Sequence, residues 1–342
     1  MQKRATIEDV ARIAGVSTAT VSRAIHTPDV VSDSTRKAVN GAIDETGFTL
    51  NQAARNLRQQ RANAIMVLVP DIGNTFFSEI LAGIERVASS AGQTILIGHT
   101  AKDPLREEKY LNSLINGQAD GALLLNGHLP SSFVHRIKGT SQKPLPIVSV
   151  SEALEDQIVP HVGTDNARAA ETATTYLLEK GHRHILHLRG PLDNILTHQR
   201  MAGFQNAMEK AGQIVSPASY IAGDFSIESG IAAADQLLAA TEHPDAVFCA
   251  NDEMAIGLMS QLAAHGVKVP QHISVIGFDD IAFAATASPG LTTIAQPRSA
   301  FGERSMHILL DLIQQGGVAT RTEEILGFHL IERASVETRG RD

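Results

Sequence analysis

The chain of 342 residues has a single cysteine, Cys249. One thiol cannot form a disulfide within the chain or supply a cysteine-based zinc cluster. Glu8 and Asp9 fall where a secretion signal needs an apolar core, so no signal peptide is expected. The longest apolar runs, such as 64–69, are strand-sized and far shorter than the ~20 residues that span a bilayer. These absences predict a cytoplasmic protein without a membrane partner.

Catalytic and metal-binding patterns are also scarce. His182, His184 and His187 lie close together in sequence, but alternate residues of a strand point to opposite faces and no Glu-x-x-His motif accompanies them. Cys249 lies in an apolar strand without a neighbouring base, which favours a buried structural thiol over a nucleophile. The acid pairs at 252–253 and 279–280 could suggest glycoside hydrolysis, but that function does not explain residues 1–61. We therefore expect no metal, no cofactor and no enzymatic activity.

The formal net charge of −8 conceals an uneven distribution. Residues 1–61 contain nine Lys or Arg and six Asp or Glu, a net charge of +3. The remaining residues contain 20 basic and 31 acidic side chains, a net charge of −11. Overall acidity argues against a nucleic-acid partner, whereas a basic terminal segment allows one. The sequence therefore predicts a small basic domain followed by a large acidic one.

The basic segment has the pattern of three short helices. Thr6 begins a motif with an acidic residue three positions later, which is typical of a helix start, and Gly15 ends the first apolar face. Ser17 can cap a second helix over 18–25, and Ser32 a third. Two helices joined by a glycine turn and supported by a third indicate a helix-turn-helix, whose second helix fits the DNA major groove. A small helical bundle with a neutral role is the alternative.

The strings Thr-Ile-Glu-Asp-Val-Ala at 6–11, Ala-Gly-Val-Ser at 14–17 and Thr-Val-Ser-Arg at 20–23 closely resemble the DNA-binding headpiece of the LacI family. The resemblance implies that Thr18, Ala19 and Arg23 occupy base-reading positions. The full set of DNA contacts predicted in the headpiece is Thr6, Ser17, Thr18, Ala19, Thr20, Ser22 and Arg23.

The segment after the headpiece, 51–62, is polar, basic and compatible with a helix. It resembles the hinge helix of the same family, in which a leucine wedges into a central minor-groove step; such a wedge unstacks bases and bends the duplex. A plain interdomain linker is the alternative. The predicted DNA contacts here are Asn51, Ala54, Arg55, Leu57 and Arg58.

From residue 63 onward, buried strands alternate with amphipathic helices in two series. This alternation predicts doubly wound parallel sheets, and two series predict two lobes with a ligand cleft at the carboxyl ends of their strands. The core resembles the periplasmic-binding-protein-like effector domain of the family, so the expected fold is an all-α helix-turn-helix headpiece plus two doubly wound α/β lobes. The predicted domains are 1–50 (headpiece), 51–62 (hinge) and 63–342 (core), with lobe 1 at about 63–161 and 291–320 and lobe 2 at about 162–290 and 321–342.

Three polar residues, Arg200, Asn251 and Asp279, match family positions that contact the effector. A guanidinium, an amide and a carboxylate can bind the hydroxyls of a sugar or a ribose. An interlobe salt bridge is the alternative for Arg200, a loop cap is the alternative for Asp279 or its neighbour Asp280, and simple core packing is the alternative for the aromatic candidates. The full predicted set is Asn74, Phe76, Phe77, Asp165, Asn194, Arg200, Phe225, Asn251 and Asp279.

Several stretches, including 77–80, 246–249 and 291–298, are most similar to a nucleoside-responsive family member. At Asn194 and Leu196 a purine-responsive member has arginine and threonine, so purine recognition of that kind is not expected. A nucleoside is the leading effector and a sugar the second. The resemblance predicts a homodimeric repressor on a palindromic operator. The alternative function is a soluble sugar-binding or carbohydrate-active protein without a DNA role.

Overall fold

The computed structural model describes residues 5–48, 61–138, 145–154, 157–316 and 322–340. The chain divides into two compact units between Ala62 and Asn63. Across the described residues, no helix is both long and apolar enough to cross a bilayer.

The first unit contains three helices, α1 (Ile7–Ala14), α2 (Thr18–His26) and α3 (Asp33–Thr46), with a 3-10 turn at Pro28–Val30. Each α-helix starts at a predicted cap, because the hydroxyls of Thr6, Ser17 and Ser32 accept hydrogen bonds from N–H groups of the first turn. Gly15 ends α1 in the left-handed conformation (φ 66°), which turns the chain into α2. The helices enclose a small core of Val10, Ala11, Val21, Ala24, Val39 and Ala42. The predicted helix-turn-helix is thereby confirmed.

The second unit begins with a parallel sheet. Its first part contains β1 (Ala64–Val69), α4 (Phe76–Ser90), β2 (Thr94–His99), α5 (Pro104–Ile115), β3 (Gly121–Leu124), α6 (Ser131–Lys138), β4 (Ile147–Val150) and β5 (His161–Thr164). A second series follows with α7 (Asn166–Glu179), β6 (Ile185–Arg189), α8 (Ile195–Lys210), β7 (Tyr220–Ala222), α9 (Ile227–Ala239), β8 (Ala246–Cys249), α10 (Asp252–Ala264), β9 (Ser274–Asp279), α11 (Ala282–Thr286) and β10 (Thr292–Ala295). The chain ends with α12 (Arg298–Gln314), β11 (Glu323–Leu326) and β12 (His329–Ile331).

Two six-stranded sheets define the two lobes. The first has the order β11-β5-β4-β3-β1-β2 and the second the order β12-β10-β9-β8-β6-β7. All pairings are parallel except the antiparallel pair of β10 with β12. The strand β1 is buried along its whole length, as expected for a central parallel strand covered by helices on both faces. The predicted two-lobed α/β architecture is confirmed.

The lobe boundaries differ from the prediction, because strand pairing assigns two segments to the other lobe. The strand β10 pairs in parallel with β9, so 292–295 belongs to the second lobe and the chain returns to the first only at α12. The strand β11 pairs with β5, so 323–326 belongs to the first lobe. Three short crossovers, after Thr164, after Ala295 and after Leu326, therefore connect the lobes.

Glycines bring helix pairs into backbone contact on both lobes. A Cβ atom built on Gly302 of α12 would lie 2.1 Å from the Ile80 carbonyl oxygen of α4, and one on Gly83 of α4 would lie 2.2 Å from the Ser299 carbonyl oxygen. Gly203 of α8 approaches α7 just as closely, because its Cβ would lie 2.1 Å from the Ala167 carbonyl oxygen. Only glycine permits these contacts, so the helices are locked in register against their sheets.

Candidate functional site

The outer face of α2 is the first candidate surface. Thr18, Ala19 and Arg23 are exposed, and Ser22 beside them is half-buried. Within residues 5–48, Arg23 forms no ion pair, whereas Arg12 and Arg36 each bind a carboxylate three residues earlier. A free guanidinium next to small polar side chains can donate to base edges or to phosphates.

Three other predicted DNA contacts also hold the helix starts. The Thr6 backbone N–H and hydroxyl both donate to Asp9 Oδ2 (3.0 and 2.8 Å), and these bonds lower the pKa of Asp9. Ser17 Oγ accepts from the Thr20 N–H at 3.2 Å and lies 2.9 Å from Thr20 Oγ1. These side chains fix the entry of α1 and α2. The predicted contacts Asn51, Ala54, Arg55, Leu57 and Arg58 lie outside the described residues.

The second candidate site is a cleft of about 1340 Å³ between the lobes of the core, at the carboxyl ends of their strands. This volume holds a nucleoside or a disaccharide. Eight of the nine predicted effector residues line it, namely Asn74, Phe76, Phe77, Asn194, Arg200, Phe225, Asn251 and Asp279. Asp165 is not among the lining residues. It is an exposed N-cap of α7 that accepts from the Arg168 N–H at 2.9 Å, so its effector contact stays a prediction that the cleft lining does not include.

Arg200 lies in the second turn of α8, which starts at Ile195. Its guanidinium is 3.8 Å from the centre of the Phe278 ring, its Nε donates to Asn166 Oδ1 at 3.0 Å, and its Nη1 donates to the Ala250 carbonyl. The residue is 2% exposed and its Nη2 lies 3.8 Å from Asp279 Oδ1. Both partners belong to the second lobe, so the pair is not the interlobe bridge considered as an alternative.

Asp279 ends β9 with a φ of 113°, a backbone conformation uncommon for non-glycine residues and frequent at binding sites. Its Oδ1 accepts from Gln296 Nε2 at 2.7 Å. Burial raises the pKa of this carboxyl to about 6, although Arg200 opposes the rise. The adjacent Asp280 instead binds Arg333 at 2.7 Å. Of the two acids, the cleft therefore contains Asp279.

Asn251 caps α10 by accepting from the Met254 N–H at 3.0 Å, and it donates to the Phe225 carbonyl at 2.9 Å. Phe225 itself has a φ of 73°. This bond holds the loop that carries the Phe225 ring against the cleft wall.

Phe76 and Phe77 line the opposite wall with their rings 5.2 Å apart, and both are also part of the first-lobe core. Their packing accounts for their burial whether or not they contact a ligand.

Carboxylates outnumber cations among the residues that line the cleft. The eight are Asp71, Glu107, Glu152, Asp193, Asp224, Glu228, Glu253 and Asp279, against two cations, Lys102 and Arg200, and two histidines, His128 and His198. Burial raises the pKa of Glu152 to about 7 and that of Glu253 above its usual value, whereas the bond to Glu107 raises the pKa of His128. Most of these acids were not predicted, because they lie in loops or first helical turns without a periodic signal.

Three of the residues considered for metal binding or catalysis are buried in the core, namely His182, His187 and Cys249. His187 is fully buried between Phe248 and Phe204, and burial lowers its pKa to about 4. His182 Nε2 lies within hydrogen-bond distance of the Glu337 carbonyl oxygen, at 3.1 Å. Burial raises the pKa of the Cys249 thiol. In the part of the chain that the structure describes, no group of three or more His, Cys, Asp or Glu side chains is arranged to hold a metal ion.

A helix-turn-helix unit followed by a two-lobed core with a ligand-sized cleft is typical of a DNA-binding regulator with an effector domain. The model of bacterial regulatory proteins of the lacI family matches residues 6–51, and the periplasmic binding protein-like domain matches residues 174–336. The chain is 41% identical over 331 residues to the HTH-type transcriptional repressor CytR of Escherichia coli K12, covering 97% of this chain and 96% of the relative. It therefore belongs to the LacI family and is a DNA-binding transcriptional regulator, not an enzyme.

Other relatives agree with this assignment. The HTH-type transcriptional repressor PurR of Vibrio atlanticus is 34% identical, covering 98% of this chain and 99% of that one. The structure of the lac repressor dimer bound to operator and the anti-inducer ONPF has a TM-score of 0.85 at 26% identity, covering 98% of this chain and all of that one. The structure of transcriptional regulator CelR with cellobiose has a TM-score of 0.72 at 31% identity, covering 97% of this chain and all of that one. Nothing supports the alternative of a carbohydrate-binding protein without a DNA role.

Proposed function

We propose that this regulator is a repressor controlled by an uncharged, hydroxyl-rich effector in the interlobe cleft, a nucleoside first and a sugar second. This proposal rests on the excess of carboxylates over cations among the residues that line the cleft. An acidic cleft repels phosphate groups, so it disfavours nucleotides and sugar phosphates. The same carboxylates accept hydrogen bonds from ligand hydroxyls.

The second lobe provides the polar part of the proposed site. Arg200 and Asp279 lie 3.8 Å apart at the cleft wall, an arrangement suited to adjacent ring hydroxyls. Phe225 and Phe76 provide apolar surfaces for a ring. Asn74, Phe77, Asn194 and Asn251 complete the set carried over from the sequence prediction.

On the DNA side, we infer that a homodimer places two α2 helices in successive major grooves of a palindromic operator, with Thr18, Ala19 and Arg23 reading bases. The strand β2 supports self-association, since it is the edge of the first-lobe sheet and exposes Leu96 and Ile97. An exposed apolar edge strand invites a partner. We place this regulator in the cytoplasm with its DNA target. The CelR–cellobiose structure keeps a sugar as the second effector class.

Thermal unfolding of the full chain tests the effector class. Cytidine, ribose and cytidine monophosphate are compared, because a ligand present at 100 times its Kd stabilises the protein by about 2.7 kcal/mol. We expect cytidine to raise the midpoint and its monophosphate to leave it unchanged. The Asp279→Asn variant, which keeps the side-chain size, should lose the response. An equal or larger response to the monophosphate would refute the charge argument.

Operator binding tests the DNA side independently. The logarithm of the association constant should fall linearly with the logarithm of the salt concentration, since bound headpieces displace counterions. The Arg12→Met variant is a matched control for Arg23→Met, because Arg12 is already paired with Asp9. We expect the change at Arg23 to reduce operator binding far more than the change at Arg12. A binding constant independent of salt would contradict DNA recognition by this unit.

A further inference from the structure

Two asparagines occupy equivalent places in the two lobes. Asn74 lies five residues beyond the end of β1, and Asn194 lies five residues beyond the end of β6. Each uses its side-chain oxygen at the start of the following helix: Asn74 Oδ1 accepts from the Phe76 N–H and Asn194 Oδ1 from the Leu196 N–H, both at 2.8 Å. These bonds fix both side chains and leave both amide NH₂ groups free to donate elsewhere.

Both NH₂ groups donate across the cleft to a glutamate of the other lobe. Asn74 Nδ2 of the first lobe donates to Glu253 Oε2 of the second at 3.1 Å. Asn194 Nδ2 of the second lobe donates to Glu152 Oε2 of the first, also at 3.1 Å. The Glu253 carboxylate accepts two further bonds from the first lobe, from the Thr75 N–H (3.1 Å) and hydroxyl (3.2 Å).

The bridging residues lie where closure matters for a ligand. Asn74, Glu152, Asn194 and Glu253 all line the cleft. Arg200 and Asp279 belong to the second lobe. A ligand bound to them contacts the first-lobe wall of the cleft only when the two lobes are closed. Hydrogen bonds to carboxylates are among the stronger hydrogen bonds in proteins.

We propose that these two reciprocal asparagine–glutamate pairs are latches that hold the lobes closed and position the first-lobe wall against an effector bound to the second lobe. The positioning of the effector rests on the proposed function, whereas the closure of the lobes by these contacts does not depend on it. In this role the four side chains are positioning residues that act on the effector through the lobe arrangement, beyond the effector contact predicted for Asn74 and Asn194.

Aspartate substitutions separate the latch from the helix start. Asn74→Asp and Asn194→Asp keep the oxygen that accepts from the helix N–H, since aspartate caps helices as well as asparagine does. They remove the NH₂ donor and place a carboxylate against a glutamate. The matched control is Asn206→Asp, because Asn206 Nδ2 of α8 faces Glu171 Oε2 of α7 at 3.4 Å within one lobe. The control makes the same chemical change without crossing the cleft.

The first measurement needs no effector. Spin labels are attached at Leu105→Cys and Leu192→Cys, exposed positions next to the cleft-lining Pro104 and Asp193 in different lobes, while the buried Cys249 stays unlabelled. Pulsed dipolar spectroscopy of the full chain then reports the distance between the lobes. We expect the double Asp variant to raise the ratio of open to closed molecules by about tenfold or more, and Asn206→Asp to leave it unchanged. An unchanged distance distribution in the double variant would overturn the proposal.

A pH series distinguishes a latch from a general packing defect. Burial raises the pKa of Glu152 to about 7, and Arg200, Lys102 and Asp193 are the charged groups that act on it. In Asn194→Asp, the two facing carboxyls can share a proton as the pH falls below about 7, so the lobes should close again toward about pH 6. Opening that is independent of pH in this variant would contradict direct contact between residues 152 and 194.

The final measurement is cytidine affinity by calorimetry. We expect the double variant to bind cytidine about tenfold more weakly than the wild type, with Asn206→Asp unchanged. If the wild type binds neither nucleosides nor sugars, the proposed function fails while the distance measurement still decides the latches. If cytidine binds but the variant lobes stay closed, the latches are refuted and the proposed function stands.

Discussion

Removal of the Arg200 charge tests how the cleft is held together. In the Arg200→Met variant, the flexible side chain keeps its packing over Phe278, and Asp279 loses the cation that lowers its pKa most, while Arg298 and Gln296 continue to stabilise the carboxylate. Asn166 Oδ1 and the Ala250 carbonyl also lose their donor. The double variant Arg200→Met/Asp279→Asn removes the carboxylate as well. Comparison of these two variants isolates the cost of the stranded acid.

The pKa of Asp279 sets the magnitude. Burial raises this pKa from its ordinary value of 3.8 to about 6, so the ionised carboxyl already costs about 3 kcal/mol of stability at neutral pH. Without the guanidinium the pKa rises further, and protonation sets an upper limit of about 5 kcal/mol on the cost at pH ~7.5. The further loss through Asp279 is therefore up to about 2 kcal/mol, and each of the two orphaned acceptors adds about 1 kcal/mol. Arg200→Met should lose about 3–5 kcal/mol in total, as is usual for a broken buried ion pair.

Denaturant unfolding of the full chain at a series of pH values measures this cost. An acid with a raised folded-state pKa contributes stability that is complete below the unfolded-state pKa and is lost as the pH rises through the folded-state pKa. Arg200→Met should therefore lose about 1.4 kcal/mol per pH unit from pH ~4 to beyond the wild-type folded-state pKa of about 6, and the double variant should lack this slope. At pH ~7.5 the double variant should be the more stable of the two. Equal stabilities with parallel pH profiles would refute the coupling of Arg200 with Asp279.

Three further predictions concern other parts of the chain. Glu152→Gln keeps an acceptor for Asn194 and should be more stable than the wild type by about 2–3 kcal/mol above pH ~7, because the raised pKa of Glu152 penalises its charged form. The difference in stability should vanish toward pH ~4.5, and an advantage that persists at acidic pH would contradict this. Gly302→Ala should destabilise the core by about 2–3 kcal/mol or more, since its Cβ would meet the Ile80 carbonyl at 2.1 Å. Gly41→Ala, in a helix with open space around it, should instead stabilise the first unit by about 0.5–1 kcal/mol in thermal unfolding.

The headpiece was predictable because its determinants are local. Caps at Thr6, Ser17 and Ser32 and a glycine at position 15 define the helix ends within a few residues, and spacing defines the core. The two-lobed core followed from strand and helix alternation. The assignment of 292–295 to the second lobe and of 323–326 to the first could not be predicted. Long-range pairing decides which sheet a short strand joins, and local sequence does not encode that pairing.

The candidate cleft was predicted in part. Eight of nine residues carried over from the family line it, and Asp165 instead caps a helix. Glu152 and Glu253 were missed as interlobe contacts, because a glutamate in a loop or first helical turn looks the same whether it faces water or another lobe. The equal spacing of Asn74 and Asn194 from their strands was not predicted, because it depends on β6 ending at Arg189. Only the structure shows what their amides face.

The crossovers determine when each part of the protein becomes complete during synthesis. The three headpiece helices end by residue 46, so this unit can fold while most of the chain is still untranslated. The first lobe, by contrast, starts at residue 64 but needs α12 and β11, which end at residue 326. The α4 surface that receives Gly302 is uncovered until α12 has been made, and the first-lobe sheet lacks its last strand until β11 follows. The DNA-reading part is thus made first, and its control by an effector becomes possible only when nearly the whole chain has left the ribosome.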